Sequence, residues 1–436
     1  MIAPSASDTL SRTLLLTRDL VRDAKVTDDQ LVRALQGTTV CIVANAANAS
    51  TSSGQATVTT LAALVAMMGM HVRLVLPDLE VVGNQPPLAH SALLDGVRLL
   101  VNDSTPGATA TIDTGSGQDD LVFVLGSTPW QDTARDSWRL SGSAWTGSIG
   151  PTLSEGRTWQ ADVPFGGLVA ASLAAMEAYK ATLRKIEPSE FVRATRAVSI
   201  SLGPDIAIPD FLDLGRIDVV SGGAITNAMM HALLRVRGLR AEFRVFEPEQ
   251  LDATNLNRYA LALRSMLGWD KIAILASHST SSLRILGDLR RFTSELINQE
   301  KVARVVAVGA DHIPTRWLAQ TTRPEWLGIG STSHFYTRIS DHLSGEPCAA
   351  CLHPEDDPST APIPTISFVS YWAGLLLATK LLRWSLGVRA PVGQRITETS
   401  GLLFDSEFAF HLRASRPSPR CPIRCGSWRT AGASPS

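Results

Sequence analysis

The chain has 436 residues, 44% of them apolar and 19% charged, with a formal net charge of −1. That length allows two or three domains, each large enough to bury a core, and the near-neutral balance excludes a strongly basic nucleic-acid binder and an acidic disordered chain. Arginine dominates the basic residues: lysine occurs only at positions 25, 180, 185, 271, 301 and 380, so each lysine is conspicuous.

Residues 1–11 are polar, and the apolar run 14–16 is too short for the core of a secretory leader. The spacing predicts a helix over 9–22 and a strand from Thr39 to Asn45. A small-residue loop over 44–54, a helix over 57–70 and a strand over 72–76 complete a βαβ unit. A strand over 121–125 follows a Gly/Ser/Thr-rich link, and Pro164-Phe-Gly-Gly opens a long Ala-rich helix to about Lys185. The second half repeats this order: strand 216–220, small-residue turn 221–226, helix 227–236, strand 241–246, strand 302–308 and helix 372–384. Two passes of one element order, offset by roughly 180–200 residues, point to an internal duplication. The expected division is 1–186, 187–412 and a tail over 413–436, with the boundary near Ile186-Glu-Pro-Ser189. The tail carries five arginines, four prolines and no acids, a composition that favours disorder unless Cys421 and Cys425 fold it back.

The longest apolar stretch, 366–382, is interrupted by Ser367, Ser370 and Lys380 and reads as a buried helix. Five cysteines, four of them in two close pairs, suit a metal site in a reducing compartment better than a disulfide framework. A soluble, cytoplasmic protein is expected.

The chemistry concentrates in the second half. Ser221-Gly222-Gly223-Ala224-Ile225-Thr226 lies between a strand and a helix, where backbone N–H groups can meet phosphates. Serine and threonine stand where the GxGxxG fingerprint has its first and third glycines, so the turn alone is a poor match. The next strand ends in Glu247-Pro248-Glu249, where an acid can accept ribose hydroxyls. Thr254-Asn255-Leu256-Asn257-Arg258 follows, then Gly268-Trp269-Asp270-Lys271, and Asp311 after strand 302–308. Singly, these residues have ordinary readings: Arg258 in a surface pair, Lys271 solvated, Asp311 capping a helix. Their order and spacing together are specific.

The series resembles the ThiF/MoeB and ubiquitin-activating enzyme superfamily over about residues 216–382 and, by element order, more weakly over 14–185. The resemblance implies two tandem Rossmann-like, ThiF-type α/β domains forming a pseudo-dimer, with a zinc-bound C-terminal tail. It also implies ATP and Mg2+ at the second domain. Gly222 and Gly223 would form the turn, with Glu247 and Glu249 at the acidic position. Asn255 and Arg258 would meet the phosphates, Lys271 would neutralise them and Asp311 would be linked to magnesium. The family carries one cysteine pair at the place of Cys348 and Cys351 and a second near the C-terminus, so Cys421 and Cys425 would complete a structural Zn2+ site. The alternative is two unrelated pairs, with His353 as a substitute ligand. An arginine near the N-terminal helix of the inactive partner reaches the phosphates in the family; Arg18 and Arg22 are candidates by distance from the first strand.

The first copy departs from the pattern. Ala44-Asn45-Ala46-Ala47-Asn48-Ala49 is no phosphate turn, and no N-L-x-R or G-x-x-K follows Pro77-Asp78. The second departure is the missing transfer thiol: 359–367 holds no cysteine, and Cys41 lies inside an apolar strand. The expected activity is ATP-dependent adenylation of the C-terminal carboxylate of a ubiquitin-like protein ending in glycine, for onward transfer to a conjugating enzyme. Such a chain is similar to activators of bacterial, antiviral, Bil-type conjugation systems. Alternatives are peptide adenylation in natural-product synthesis and a catalytically dead scaffold that binds a ubiquitin-like protein. No nucleic acid and no membrane are expected as partners, and a homodimer is left open.

Overall fold

The computed structural model describes residues 4–21, 26–113, 119–131, 136–154, 156, 159, 163–186, 192–343, 347–352, 363–388, 394–400, 411–414, 418 and 420–425. Arg22, His353 and the expected boundary at 187–189 lie outside them. The first half runs α1 (Ala6–Leu20), α2 (Asp28–Gln36), β1 (Thr39–Val43), α3 (Ala46–Ala49), α4 (Ser52–Ala66) and β2 (His71–Val75). It continues with α5 (Leu93–Asn102), β3 (Ala110–Ile112), β4 (Leu121–Leu125), β5 (Ser137–Gly142), β6 (Thr146–Pro151), α6 (Phe165–Ile186) and β7 (Val198–Ser201). The second half opens with β8 (Leu212–Val220), α7 (Ala224–Leu233), β9 (Leu239–Phe246), α8 (Lys271–Ser277), β10 (Leu283–Asp288) and α9 (Ser294–Gln299). Then come β11 (Val305–Val308), α10 (Ile313–Thr321), β12 (Trp326–Ser333), β13 (Tyr336–His342), α11 (Ala349–Leu352), α12 (Ser367–Ser385), β14 (Gln394–Ser400) and β15 (His411–Ala414).

The strands form two sheets, ordered β3-β2-β1-β4-β5-β6-β7 and β10-β9-β8-β11-β12-β13-β14-β15. The second order repeats the first strand for strand and adds β15, so the duplication extends to sheet topology. In each sheet the early strands pair in parallel and the later ones turn antiparallel. Because β7 pairs with β6, the first sheet extends past residue 186 to Ser201.

Apolarity explains the layers. All of β4 is buried, as befits a central parallel strand covered on both faces. Helices α4, α6 and α12 are apolar almost all round and nearly wholly buried. The pairs α4–α6 and α7–α12 pack together, and α12 also packs on α6 and α4, so one hydrophobic core runs through both halves. Gly147 in β6 permits this close approach, since a Cβ there would stand 2.2 Å from the Gly166 carbonyl oxygen on α6.

Polar side chains pin the halves. Arg235, buried past the end of α7, donates to Gln85 Oε1 (3.0 Å), Thr59 Oγ1 (3.2 Å) and the Pro86 carbonyl (2.6 Å). Burial pulls its guanidinium down to about 10. Ser367 donates to the Leu64 carbonyl at 2.9 Å, and the Tyr179 and Phe368 rings lie 5.8 Å apart. Among the described residues, no helix is long and apolar enough to cross a membrane.

Candidate functional site

The residues singled out in the second half gather where β8, β9 and β11 end, the edge at which parallel sheets bind ligands. After Val220 the chain turns at Ser221 with φ of 79°, a left-handed conformation that glycine adopts freely. Ser221 stabilises that turn with its own hydroxyl, which accepts the Gly223 N–H at 3.1 Å and donates to Glu247 Oε2 at 3.3 Å. Gly223 then caps α7. A Cβ on Gly222 would stand 3.0 Å from Glu247 Cγ, and one on Gly223 would stand 3.1 Å from Ser221 Oγ. A side chain at either glycine would crowd Glu247 or Ser221, so glycine suits the close packing of this turn.

Glu247, buried just after β9, accepts the Gly222 N–H at 2.9 Å and the Glu249 N–H at 3.1 Å, which fixes its carboxylate beside the turn. Asn255 closes a single 3-10 turn, Ala253–Asn255, by accepting the Asp252 N–H at 3.2 Å. Arg258 donates to the Thr254 carbonyl and, at 2.7 Å, to Asn257 Oδ1. Burial pulls Arg258 below its usual value; Arg12 adds to that effect and Asp311 opposes it. Lys271, the first residue of α8, donates to Glu249 Oε2 at 2.7 Å. That bond and charge hold Glu249 below the usual carboxylate range. Burial works against the Lys271 ammonium, but Tyr259, Glu249 and Glu247 outweigh it and raise its pKa, so the group stays charged. Asp311 stands exposed between β11 and α10, and its charge acts on both Arg258 and Arg316.

Arg18 is not brought to this site. It pairs with Asp28 of α2, with Nε 2.6 Å from Oδ1, and stays half exposed, tying α1 to its neighbour. The arginine of α1 whose charge reaches the site is Arg12. Beside it, Thr13 Oγ1 accepts Asn257 Nδ2 at 2.9 Å, and the Arg12 carbonyl accepts the Thr365 N–H at 3.4 Å. Sequence reasoning also passed over Asn257, Tyr259 and Arg316. Buried Arg316, whose guanidinium burial pulls down to about 10, donates to the Ala310 carbonyl at 3.0 Å, beside Asp311. Its place five residues after Asp311 on a helix face was the available signal.

The matching edge of the first half is filled by the chain itself. Helix α3 occupies the turn after β1, and buried Asn48 donates to Asn45 Oδ1 (2.7 Å) and Thr128 Oγ1 (3.2 Å) and accepts the Trp159 N–H (3.1 Å). A Cβ on Gly54 would stand 1.9 Å from the Asn48 carbonyl oxygen.

The four paired cysteines converge. Their sulfurs all lie within 4.8 Å of one another, with Cys348–Cys421 and Cys351–Cys425 at 3.4 Å and Cys348–Cys351 at 3.6 Å. Tetrahedral zinc with Zn–S bonds of about 2.3 Å needs sulfurs roughly 3.8 Å apart, so the set fits one zinc with no open position. The Ser418 N–H donates to Cys351 Sγ at 3.2 Å, and Trp317 of α10 packs against the cluster. Cys41 is fully buried in the first sheet.

Residues 39–202 match the BilD N-terminal domain family. Over those residues the chain is similar to a BilD N-terminal domain. The match runs from the first residue of β1 to just past β7, so this BilD-type half coincides with the first sheet, and the Bil-type resemblance is borne out. None of the residues gathered around the glycine turn lies inside it. The chain is 32% identical over 151 residues to the uncharacterized protein y4jF of Sinorhizobium fredii (strain NBRC 101917 / NGR234). That alignment covers 33% of this chain and 28% of that relative, so the chain spans little more than a quarter of its length. Among solved structures, E. coli MccB with ATP is similar at 14% identity and a TM-score of 0.41, covering 66% of this chain and 97% of that one. E. coli MccB with AMPCPP and MccA gives 13% identity and the same TM-score and coverage.

Proposed function

We propose that the second half adenylates the C-terminal carboxylate of a ubiquitin-like protein. A carboxylate oxygen attacks the α-phosphorus of ATP, the bond to the β-phosphate oxygen breaks, and acyl-adenylate and pyrophosphate result. The observation that carries this reading is the gathering of charged groups at one sheet edge: Glu247 holds the glycine turn and acts on Lys271, Lys271 pairs with Glu249, and the Asp311 charge acts on Arg258.

The chemistry brings two anions together, so catalysis calls for fixed positive charge where negative charge builds up. Lys271, kept charged by its neighbours, and Arg258 supply it from one sheet edge, and Arg12 adds a third cation from α1. Asp311 would hold magnesium, which when bound would offset phosphate charge. Glu247 would receive the ribose hydroxyls, and Gly222 and Gly223 would let the nucleotide approach the N-terminus of α7. The filled edge of the BilD-type half argues for one nucleotide per chain.

Chemistry on this chain ends at the acyl-adenylate. Cys41 is buried among apolar side chains, and the four remaining cysteines are held together as a zinc set. The activated carboxylate then passes to a thiolate of a conjugating enzyme, forming a thioester as the acyl–phosphate bond breaks and AMP leaves, in the cytoplasm of a bacterium whose Bil-type system acts against phage. The resemblance to such activators and the BilD-type half support that setting.

The test is pyrophosphate exchange dependent on the ubiquitin-like protein. Lys271→Ala and Asp311→Ala should each lower exchange roughly a hundredfold, as loss of ~3 kcal/mol of transition-state stabilisation requires. The same reaction on a non-reducing gel should give no thiol-sensitive adduct. Unchanged exchange in both variants would reject the site.

A further inference from the structure

We propose that Tyr259 is a positioning residue of the phosphate site, holding the cations of Arg258 and Lys271 on one ring and aiming its own hydroxyl proton at the phosphate chain. This rests on the nucleotide reading above. Tyr259 is 5% exposed, and both Arg258 Cζ and Lys271 Nζ lie 5.7 Å from its ring centroid. Two like charges that converge on a phosphate repel each other in its absence. An aromatic ring near both offsets part of that repulsion and limits where each can settle.

The hydroxyl has a further role. A Cβ built on Gly223 would lie 3.8 Å from it, which puts it at the N-terminus of α7. Lysine has only protons to donate, so the Lys271 ammonium beside Tyr259 can engage only the lone pairs of the phenolic oxygen, never its proton. Its own proton therefore needs another acceptor. At the turn the N–H groups can only donate, and the Ser221 and Gly222 carbonyls already accept from Thr226 Oγ1 at 2.6 Å and Asn227 Nδ2 at 3.0 Å. A phosphate oxygen entering beside the turn is the acceptor that matches. Burial raises the Tyr259 pKa, so the group remains a neutral donor across physiological pH.

The experiment measures binding of the magnesium complex of α,β-methylene ATP, and of adenosine, by calorimetry from pH 7 to 10. No other partner is needed. Tyr259→Phe keeps the ring and should weaken the triphosphate about tenfold while leaving adenosine unchanged. Its alkaline loss of affinity should begin at lower pH than in the natural protein, because Lys271 has lost one of its supports. Tyr259→Leu should weaken the triphosphate further; should it fail to fold, Tyr259→Phe decides alone. If the natural protein binds no triphosphate, the nucleotide reading fails and this inference with it. If the natural protein binds but Tyr259→Phe matches it in affinity and pH profile, or loses adenosine and triphosphate alike, the positioning role is overturned.

Discussion

At Ser221 the chain accepts a left-handed backbone that costs a non-glycine residue about 1–2 kcal/mol, and the serine hydroxyl compensates by bonding both Gly223 and Glu247. This explains how a weak match to a glycine fingerprint still holds a tight strand-to-helix turn. Glu247, Arg258, Lys271 and Asp311 were legible in the sequence because strand ends place residues at one edge whatever the loops between them do. Arginine 12 was not. Distance from the first strand points to Arg18 and Arg22, but Arg12 lies six residues before Arg18, which at about 100° each puts the two roughly 120° apart around α1, and only packing decides which faces the site. Arg12→Ala should therefore lower pyrophosphate exchange by about ten- to a hundredfold, in the range of an arginine that stabilises transferring phosphoryl charge. Arg18→Ala should leave exchange within about twofold, since it removes a half-exposed pair worth ~1 kcal/mol or less. Parallel assays of the two variants, with circular dichroism as a folding check, read this directly.

Among elements, α10 has two unlike ends. Its N-terminus follows Asp311, and Arg316 ties it to Ala310; farther along, Trp317 packs on the cysteine cluster and Gln320 Oε1 accepts the Ala349 N–H at 3.0 Å. The cysteine cluster thus braces the helix that follows Asp311. Elemental analysis should find close to one zinc per chain. Cys348→Ser should lower that content severalfold and reduce the melting temperature, because metal binding free energy is folding free energy for such a cluster. The paired cysteines made this cluster legible. The β5–β6 hairpin was not, because Ser141-Gly-Ser-Ala-Trp-Thr-Gly-Ser148 reads as loop by composition. Gly147 admits α6, since a Cβ there would strike that helix, and Gly142 admits the Thr146 carbonyl oxygen, 2.7 Å from where its Cβ would stand. Propensity yields here to tertiary packing.

In the whole molecule, the two sheets share one core, and α1 from the BilD-type side lies against the 253–258 segment of the other. The repeated element order could be read from the sequence, whereas the face along which the repeats meet could not, since helices apolar all round give no direction. A site whose last cation comes from a separate subunit obeys mass action and empties on dilution. Here the bond from Asn257 to Thr13 is closed within one chain, at an effective concentration that no dilution alters. Specific activity should stay constant from micromolar to nanomolar enzyme, with sedimentation run alongside to read the mass. The fused first copy, though it binds no nucleotide in this reading, would then act as a permanently attached subunit: it makes activation depend on how many chains are present and not on how often they meet.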